Sequence, residues 1–169
     1  MAGTDSPALD PAISRLSNAA NYSRLWLPVS GLLAVVGGDD GRRAAADGLT
    51  SIAVTATIVN AALKPLGRRR RPDRGPALPR RVRLPRSRSF PSVHAASGVA
   101  LATGVAATQP RIALPLGVLA ATVAYSRVHT SVHYPADVVM GAVLGVVLAQ
   151  MTPRVRGRRS ACAPSATQP

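Results

Sequence analysis

Imidazole is the side chain best suited to nucleophilic or proton-transfer chemistry near neutral pH, and this chain carries three histidines, His94, His129 and His133. Two of them stand in clusters built otherwise from cations and small polar residues. His94 closes the run Pro91-Ser92-Val93-His94, with Lys64 and Arg71 upstream. His133 lies between Ser126-Arg127 and Asp137. Lys64, Arg71 and Arg127 bring three positive charges from separated segments, and a guanidinium can grip two oxygens at once. The ligand they suit is a multiply charged oxyanion. Ser92 precedes an apolar stretch, so its hydroxyl can cap a helix or donate to an anion; either way the first N–H groups of that helix form an anion site. His133 comes just before Pro135, a residue well placed at a helix start. Asp137 then falls in the first turn, where the helix dipole favours a carboxylate. Such a carboxylate can hold one imidazole nitrogen as N–H and leave the other as a nucleophile.

Other chemistries are closed by what is missing. All seven anions are Asp, so no Glu can act as a general base or complete a His-Glu-x-x-His zinc motif. Cys162 is the single cysteine, which excludes a disulfide framework and a Cys-rich zinc site. His129, His133 and Asp137 imitate a ligand trio, but the surrounding cations repel a metal ion. His129 is read as structural.

The elements that must position these groups read as membrane helices. The 169 residues suit one domain, and 47% hydrophobic content rules out disorder of the whole chain. The net charge of +14 fits a nucleic-acid or a membrane-surface partner. The basic stretch 64–88 contains no aromatic residue to stack on a base, so no nucleic-acid partner is expected. Residues 1–24 show no secretory signal and read as a polar lead ending in an amphipathic stretch, 11–22. Residues 25–38 are uncharged, and a polar turn follows at 39–43. Residues 44–63 hold one charge, Asp47, and at ~1.5 Å per residue they match a bilayer core of roughly 30 Å. Three more apolar segments follow, 95–108, 112–125 and 138–151. They lack the polar outer faces that helices of a small soluble domain need. Gly141 and Gly145 form a small-xxx-small pair suited to close helix packing. The expectation is an all-α integral membrane bundle of about five transmembrane helices over 25–151, with a basic, disordered tail at 152–169.

With alternating spans, the loops 64–94 and 126–137 emerge on the same membrane face, so the two polar clusters can meet there. In the first loop, the run 68–71 and Arg80, Arg81, Arg83, Arg86 and Arg88 read by default as solvated or lipid-facing cations. Arg71 is the exception. Asp47 can pair with Arg42 or Arg43, and Asp73 with its arginine neighbours.

The polar residues, taken together, resemble the phosphatidic acid phosphatase type 2 superfamily. Its pattern K-x6-R-P, P-S-G-H and S-R-x5-H-x3-D becomes Lys64 to Arg71-Pro72, Pro91-Ser92-Val93-His94, and Ser126-Arg127 to His133 and Asp137. All three blocks occur in order at the required spacings. Val93 replaces the usual glycine; the backbone N–H which the family uses on the phosphate is retained. The resemblance implies a lipid phosphatase that needs no metal or other cofactor. His133 attacks phosphorus, Asp137 orients it, and His94 protonates the leaving oxygen and later activates water. Lys64, Arg71, Ser92, Val93 and Arg127 bind the phosphate.

Sidedness separates the substrates. The five-helix reading puts 14 cations on the face bearing the motifs and 7 on the other, which places the site in the cytoplasm of a bacterial plasma membrane. A cytoplasmic site suits a polyprenyl-phosphoryl-phosphoribose lipid of cell-wall synthesis, and an external one undecaprenyl pyrophosphate. Phosphatidate and phosphatidylglycerol phosphate suit either. A catalytically weak lipid-binding scaffold is the non-enzymatic alternative, suggested by Val93.

Overall fold

The computed structural model describes residues 9–21, 24–67, 69–72 and 87–160, with side chains between 11 and 152. Arg68, Asp73, Arg80, Arg81, Arg83 and Arg86 lie outside the described residues. The described residues form helices and no strand: α1 (Leu9–Ala19), α2 (Trp26–Val36), α3 (Gly38–Ile58), a π-helical turn (Val59–Leu63), α4 (Lys64–Leu66), α5 (Val93–Ala106), α6 (Pro110–His129) and α7 (Pro135–Ser160).

Three continuous helices are long and apolar enough to cross a membrane, Gly38–Leu66, Pro110–His129 and Pro135–Thr152; α2 and α5 are shorter apolar helices. Leu32, Val35, Val36, Leu114, Val118, Val139, Val143 and Met151 are exposed on the outside of the bundle. In water so large an apolar belt would be a liability; in a bilayer it faces lipid, and the chain is an integral membrane protein.

The shortness of α5 follows from its position. It packs against α3, α6 and α7, and Ala95, Ala96, Gly98, Ala100, Leu101, Gly104 and Val105 are all buried. A helix enclosed by others is apolar all round. Small residues let the backbones approach, because lipid tails are as apolar as Leu and only close packing favours association. The Gly141 and Gly145 pair does this between α7 and α5. A methyl group at Gly141 would strike the Ser92 carbonyl, and one at Gly145 would come within 2.5 Å of the Ala96 carbonyl oxygen. Trp26, 1% exposed, anchors α2 against Gly98 and Ala120.

Two boundaries differ from the sequence reading. The polar stretch 39–43 is no turn but the first turns of α3. Asp39 and Asp40 lie at the positive end of the helix dipole and pair one turn on with Arg42 and Arg43. Asp47, one of whose oxygens accepts from Thr108 at 3.1 Å, ties α3 to the end of α5. The turn is provided by Gly37 and Gly38, the latter at φ +59°. At the other end, α7 runs on to Ser160, past the boundary expected after residue 151.

Candidate active site

The polar residues collect where α3–α4 ends, α5 begins, α6 ends and α7 begins. Lys64, His94, Arg127 and Asp137 sit on helix termini, while Arg71 and His133 lie in the two connecting segments. Helix ends expose unpaired N–H and C=O groups, which lets them hold charged side chains and anions. Lys64 opens α4, directly after the π-helical turn. Pro65 has no N–H, and its ring would clash with the carbonyl four residues back in an α-helix. The wider turn, with the Lys64 N–H on the Val59 carbonyl, accommodates it. Lys64 is 8% exposed, while its neighbours Pro65 and Leu66 face outward. Its Nζ donates to Ser87 Oγ at 2.9 Å.

Ser92 caps α5: its Oγ accepts the Ala95 N–H at 3.5 Å, and its own N–H donates to the Asp137 carbonyl at 3.0 Å. The starts of α5 and α7 are thereby joined. Val93 and His94 are the first two residues of α5. Val93 has no left-handed backbone, since Ser131 is the one non-glycine residue at positive φ among those described. The N–H of the first helical position is therefore offered by valine as it would be by glycine.

After α6 the chain reverses through Ser131, φ +51°, and the Arg127 carbonyl accepts the N–H groups of Val132 and His133 at 3.0 and 3.1 Å. This cap sets His133 beside the α6 terminus. Arg71 reaches across, its Nη1 donating to the Val132 carbonyl at 2.9 Å and lying 3.4 Å from His133 Nε2. Its Nε donates to the Ser87 carbonyl at 3.0 Å.

The imidazoles of His94 and His133 lie with ring centroids 6.4 Å apart and planes tilted by 56°. The side chains named in the two polar clusters thus converge at one end of the bundle, although 39 positions separate the two histidines in sequence. Arg127 and Asp137 are fully buried and His133 is 2% exposed. Burial, with the Arg71 guanidinium beside it, lowers the His133 imidazole from 6.5 to about 3, against the opposing pull of Asp137. A neutral ring with a free lone pair is the nucleophilic form. His94 Nδ1 and Arg127 Nε are buried with no hydrogen-bond partner among the described residues, and the guanidinium N–H is a donor that suits an acceptor-rich anion. Among the described residues no group of three His, Cys or Asp side chains is placed to hold a metal ion.

Several residues at the site carry no signature in the sequence. Arg127 is held by the N-terminal segment: Nη1 donates to Ser17 Oγ of α1 at 3.0 Å and Nη2 to Asn21 Oδ1, in the turn after α1, at 2.8 Å. Arg69, expected in the solvated run, instead donates to Asp137 Oδ1 at 3.3 Å and stacks 4.3 Å over the Tyr134 ring. Ser87 holds both Lys64 and Arg71. Ser89 is fully buried between Asp137 and His133. For Arg69, Ser87 and Ser89 the available hint was their closeness in sequence to the three blocks; Ser17 and Asn21, far upstream of Lys64, offered none.

The chain resembles known proteins in sequence and in fold. The chain is 40% identical to the decaprenylphosphoryl-5-phosphoribose phosphatase of Mycobacterium tuberculosis over 109 residues, which is 63% of this chain and 59% of that protein. The match therefore spans about three-fifths of the relative's length. The fold is similar to that of Aquifex aeolicus LpxE, with TM-score 0.70, 22% identity, and coverage of 89% of this chain and 88% of that one. It is also similar to the transmembrane PAP2 type phosphatidylglycerolphosphate phosphatase of Bacillus subtilis, with TM-score 0.66, 23% identity, and coverage of 97% and 82%. Residues 45–161 match the PAP2 superfamily; with its helical bundle and its paired histidines among buried cations, the chain belongs to that superfamily.

Proposed function

We propose that this protein is a membrane lipid phosphatase working through a phosphohistidine. The observation that carries the reading is the pair of imidazoles, His94 and His133, 6.4 Å apart, with Arg71 3.4 Å from His133 and the charges of Lys64 and Arg127 acting on both rings. The Nε2 lone pair of His133 forms a bond to phosphorus while the bond from phosphorus to the ester oxygen breaks. His94 gives that oxygen a proton. The three cations and the N–H groups at the start of α5 offset the charge spreading over the equatorial oxygens. His94, now basic, takes a proton from water, whose oxygen attacks phosphorus; the N–P bond breaks and orthophosphate leaves. Each step uses side chains that the helix ends bring together and calls for no metal.

The favoured substrate is a polyprenyl-phosphoryl-phosphoribose lipid, losing its terminal phosphomonoester. The 40% identity to a protein acting on such a lipid supports this choice. The excess of cations on the motif-bearing face supports a cytoplasmic site. The tail of such a lipid would lie along the apolar exterior while its head group enters between the helix ends.

A panel of phosphorylated lipids, assayed in detergent with wild type and His133→Ala, tests the reading alongside acid-labile phosphoenzyme trapping. Wild type is expected to release phosphate fastest from the phosphoribose lipid, insensitive to chelators and inhibited by vanadate. His133→Ala is expected to form no phosphoenzyme and to retain no turnover. Turnover surviving in His133→Ala would overturn the mechanism, and preference for a pyrophosphate lipid would overturn the substrate.

A further inference from the structure

Asp137 does not touch the imidazole it is expected to orient. Its Oδ2 stands 3.7 Å from His133 Nδ1, beyond hydrogen-bond distance. The side chain of Ser89 fills the interval, with Oγ 2.5 Å from Asp137 Oδ2 and 3.4 Å from His133 Nδ1. Ser89 is completely buried, and its backbone N–H is fixed on the Arg69 carbonyl at 3.2 Å.

The direction of these contacts follows from the donor inventory. A carboxylate only accepts, and Asp137 also receives the Tyr134 N–H at 3.1 Å and Arg69 Nη1 at 3.3 Å. The single hydroxyl proton of Ser89 therefore goes to Asp137, at the length of a charge-assisted O–H···O contact. What Oγ offers to His133 is a lone pair, so Nδ1 must carry the ring proton. On the far side of the ring Arg71 Nη1, a donor without a lone pair, lies 3.4 Å from Nε2. That contact favours an unprotonated Nε2. The two sides favour the same tautomer.

We infer that Ser89 is a positioning residue that transmits the Asp137 carboxylate to His133 and so holds the ring as the Nδ1–H tautomer, with the Nε2 lone pair turned toward the phosphoryl group. This rests on the phosphohistidine reading. As the N–P bond forms, Nε2 gives up its lone pair and the ring becomes cationic, with Nδ1–H still in place. The ester oxygen departs with the electrons of its broken bond and takes the His94 proton. Ser89 loses no proton. Polarised by the carboxylate, its oxygen is a better acceptor for the ring N–H at the moment the ring gains charge.

The test uses the full chain in detergent, with Ser89→Ala and Ser89→Thr beside wild type. Nitrogen-15 spectra of histidine-labelled protein without substrate, assigned with His133→Ala, report the tautomer. Wild type is expected to show a protonated Nδ1 and a bare Nε2 at His133, and Ser89→Ala a mixture. In turnover, Ser89→Ala is expected to lose about 10- to 100-fold in kcat with KM little changed, the usual range for a lost outer hydrogen bond. Ser89→Thr, which keeps the hydroxyl, restores the tautomer and most of kcat. A wild-type ring protonated at Nε2 overturns the inference even should neither variant fold. So does a folded Ser89→Ala that keeps a single Nδ1–H tautomer or its full kcat. Failure of the underlying reading looks different: His133→Ala would remain active, whatever the spectra show.

Discussion

The N-terminal segment, α1 with the turn that follows it, is expected to be part of the catalytic machinery, and Asn21→Ala tests this. Arg127 is fully buried, and two of its donors are satisfied there, by Ser17 of α1 at 3.0 Å and by Asn21 of the turn after it at 2.8 Å. A hydrogen bond to a charged group contributes about 1.5–3 kcal/mol, and leaving a buried charged donor unmet costs a similar amount. Because ~1.4 kcal/mol is tenfold in rate, loss of the Asn21 contact corresponds to about 10- to 100-fold in kcat/KM if all of it falls on the transition state. Part of it will instead lower the thermal unfolding temperature. Phosphate release from a polyprenyl-phosphoribose lipid in micelles reads the first share, and thermal unfolding in the same detergent reads the second. Ser17→Ala should act in the same direction, and the double variant should fall short of the sum, since both contacts serve one guanidinium. Arg127→Lys keeps the charge but cannot span two acceptors, and should resemble the double variant. Ala12→Ser, exposed on the same helix, is the control. A Ser17→Ala/Asn21→Ala protein with wild-type kcat/KM and unfolding temperature would refute the reasoning.

Gly141→Val should destabilise the bundle by ~1–3 kcal/mol through overpacking against the Ser92 turn, seen as earlier thermal unfolding, and should lower kcat by displacing the start of α5. Val93→Gly should leave kcat/KM within about fivefold, since Val93 already has ordinary helical backbone and glycine costs at most ~1 kcal/mol there; if neither form hydrolyses any phosphorylated lipid, the scaffold reading replaces the enzymatic one. The His133 imidazole titrates at about 3 in the folded protein against 6.5 unfolded. The unfolded chain therefore binds the proton first, and the contribution of the neutral ring to stability, complete above pH 6.5, is lost as pH falls toward 3. Unfolding temperature followed across that window should fall less steeply in His133→Asn, and an unchanged slope would contradict the assignment.

What could be read from the sequence was the chemistry. Gripping and transferring an oxyanion demands Lys, Arg, His and Asp, which are few in an apolar chain, so Lys64, Arg71, His94, Arg127, His133 and Asp137 stood out. Counting apolar segments gave a helical membrane bundle, and the parity of crossings put the two clusters on one face. Both follow from one-dimensional facts, residue type and spacing. The segment limits were less legible. The charges at 39–43 look like a turn until Asp39 and Asp40 are seen to suit a helix start, and a buried α5 needs fewer residues than a lipid-facing span.

Folding alone decided how those groups are held. Ser89 meets Asp137 across 48 positions, Asn21 meets Arg127 across 106 and Ser17 across 110. A serine or asparagine is ordinary anywhere along a chain, and nothing in its own neighbourhood marks the distant charge it will serve. Neutral hydroxyls and amides become specific only when burial removes water as their alternative partner. Water is excluded here by the closing of α1, α5, α6 and α7 around the site. Sequence therefore determined which charges this protein uses, and tertiary structure decided which neutral groups aim them.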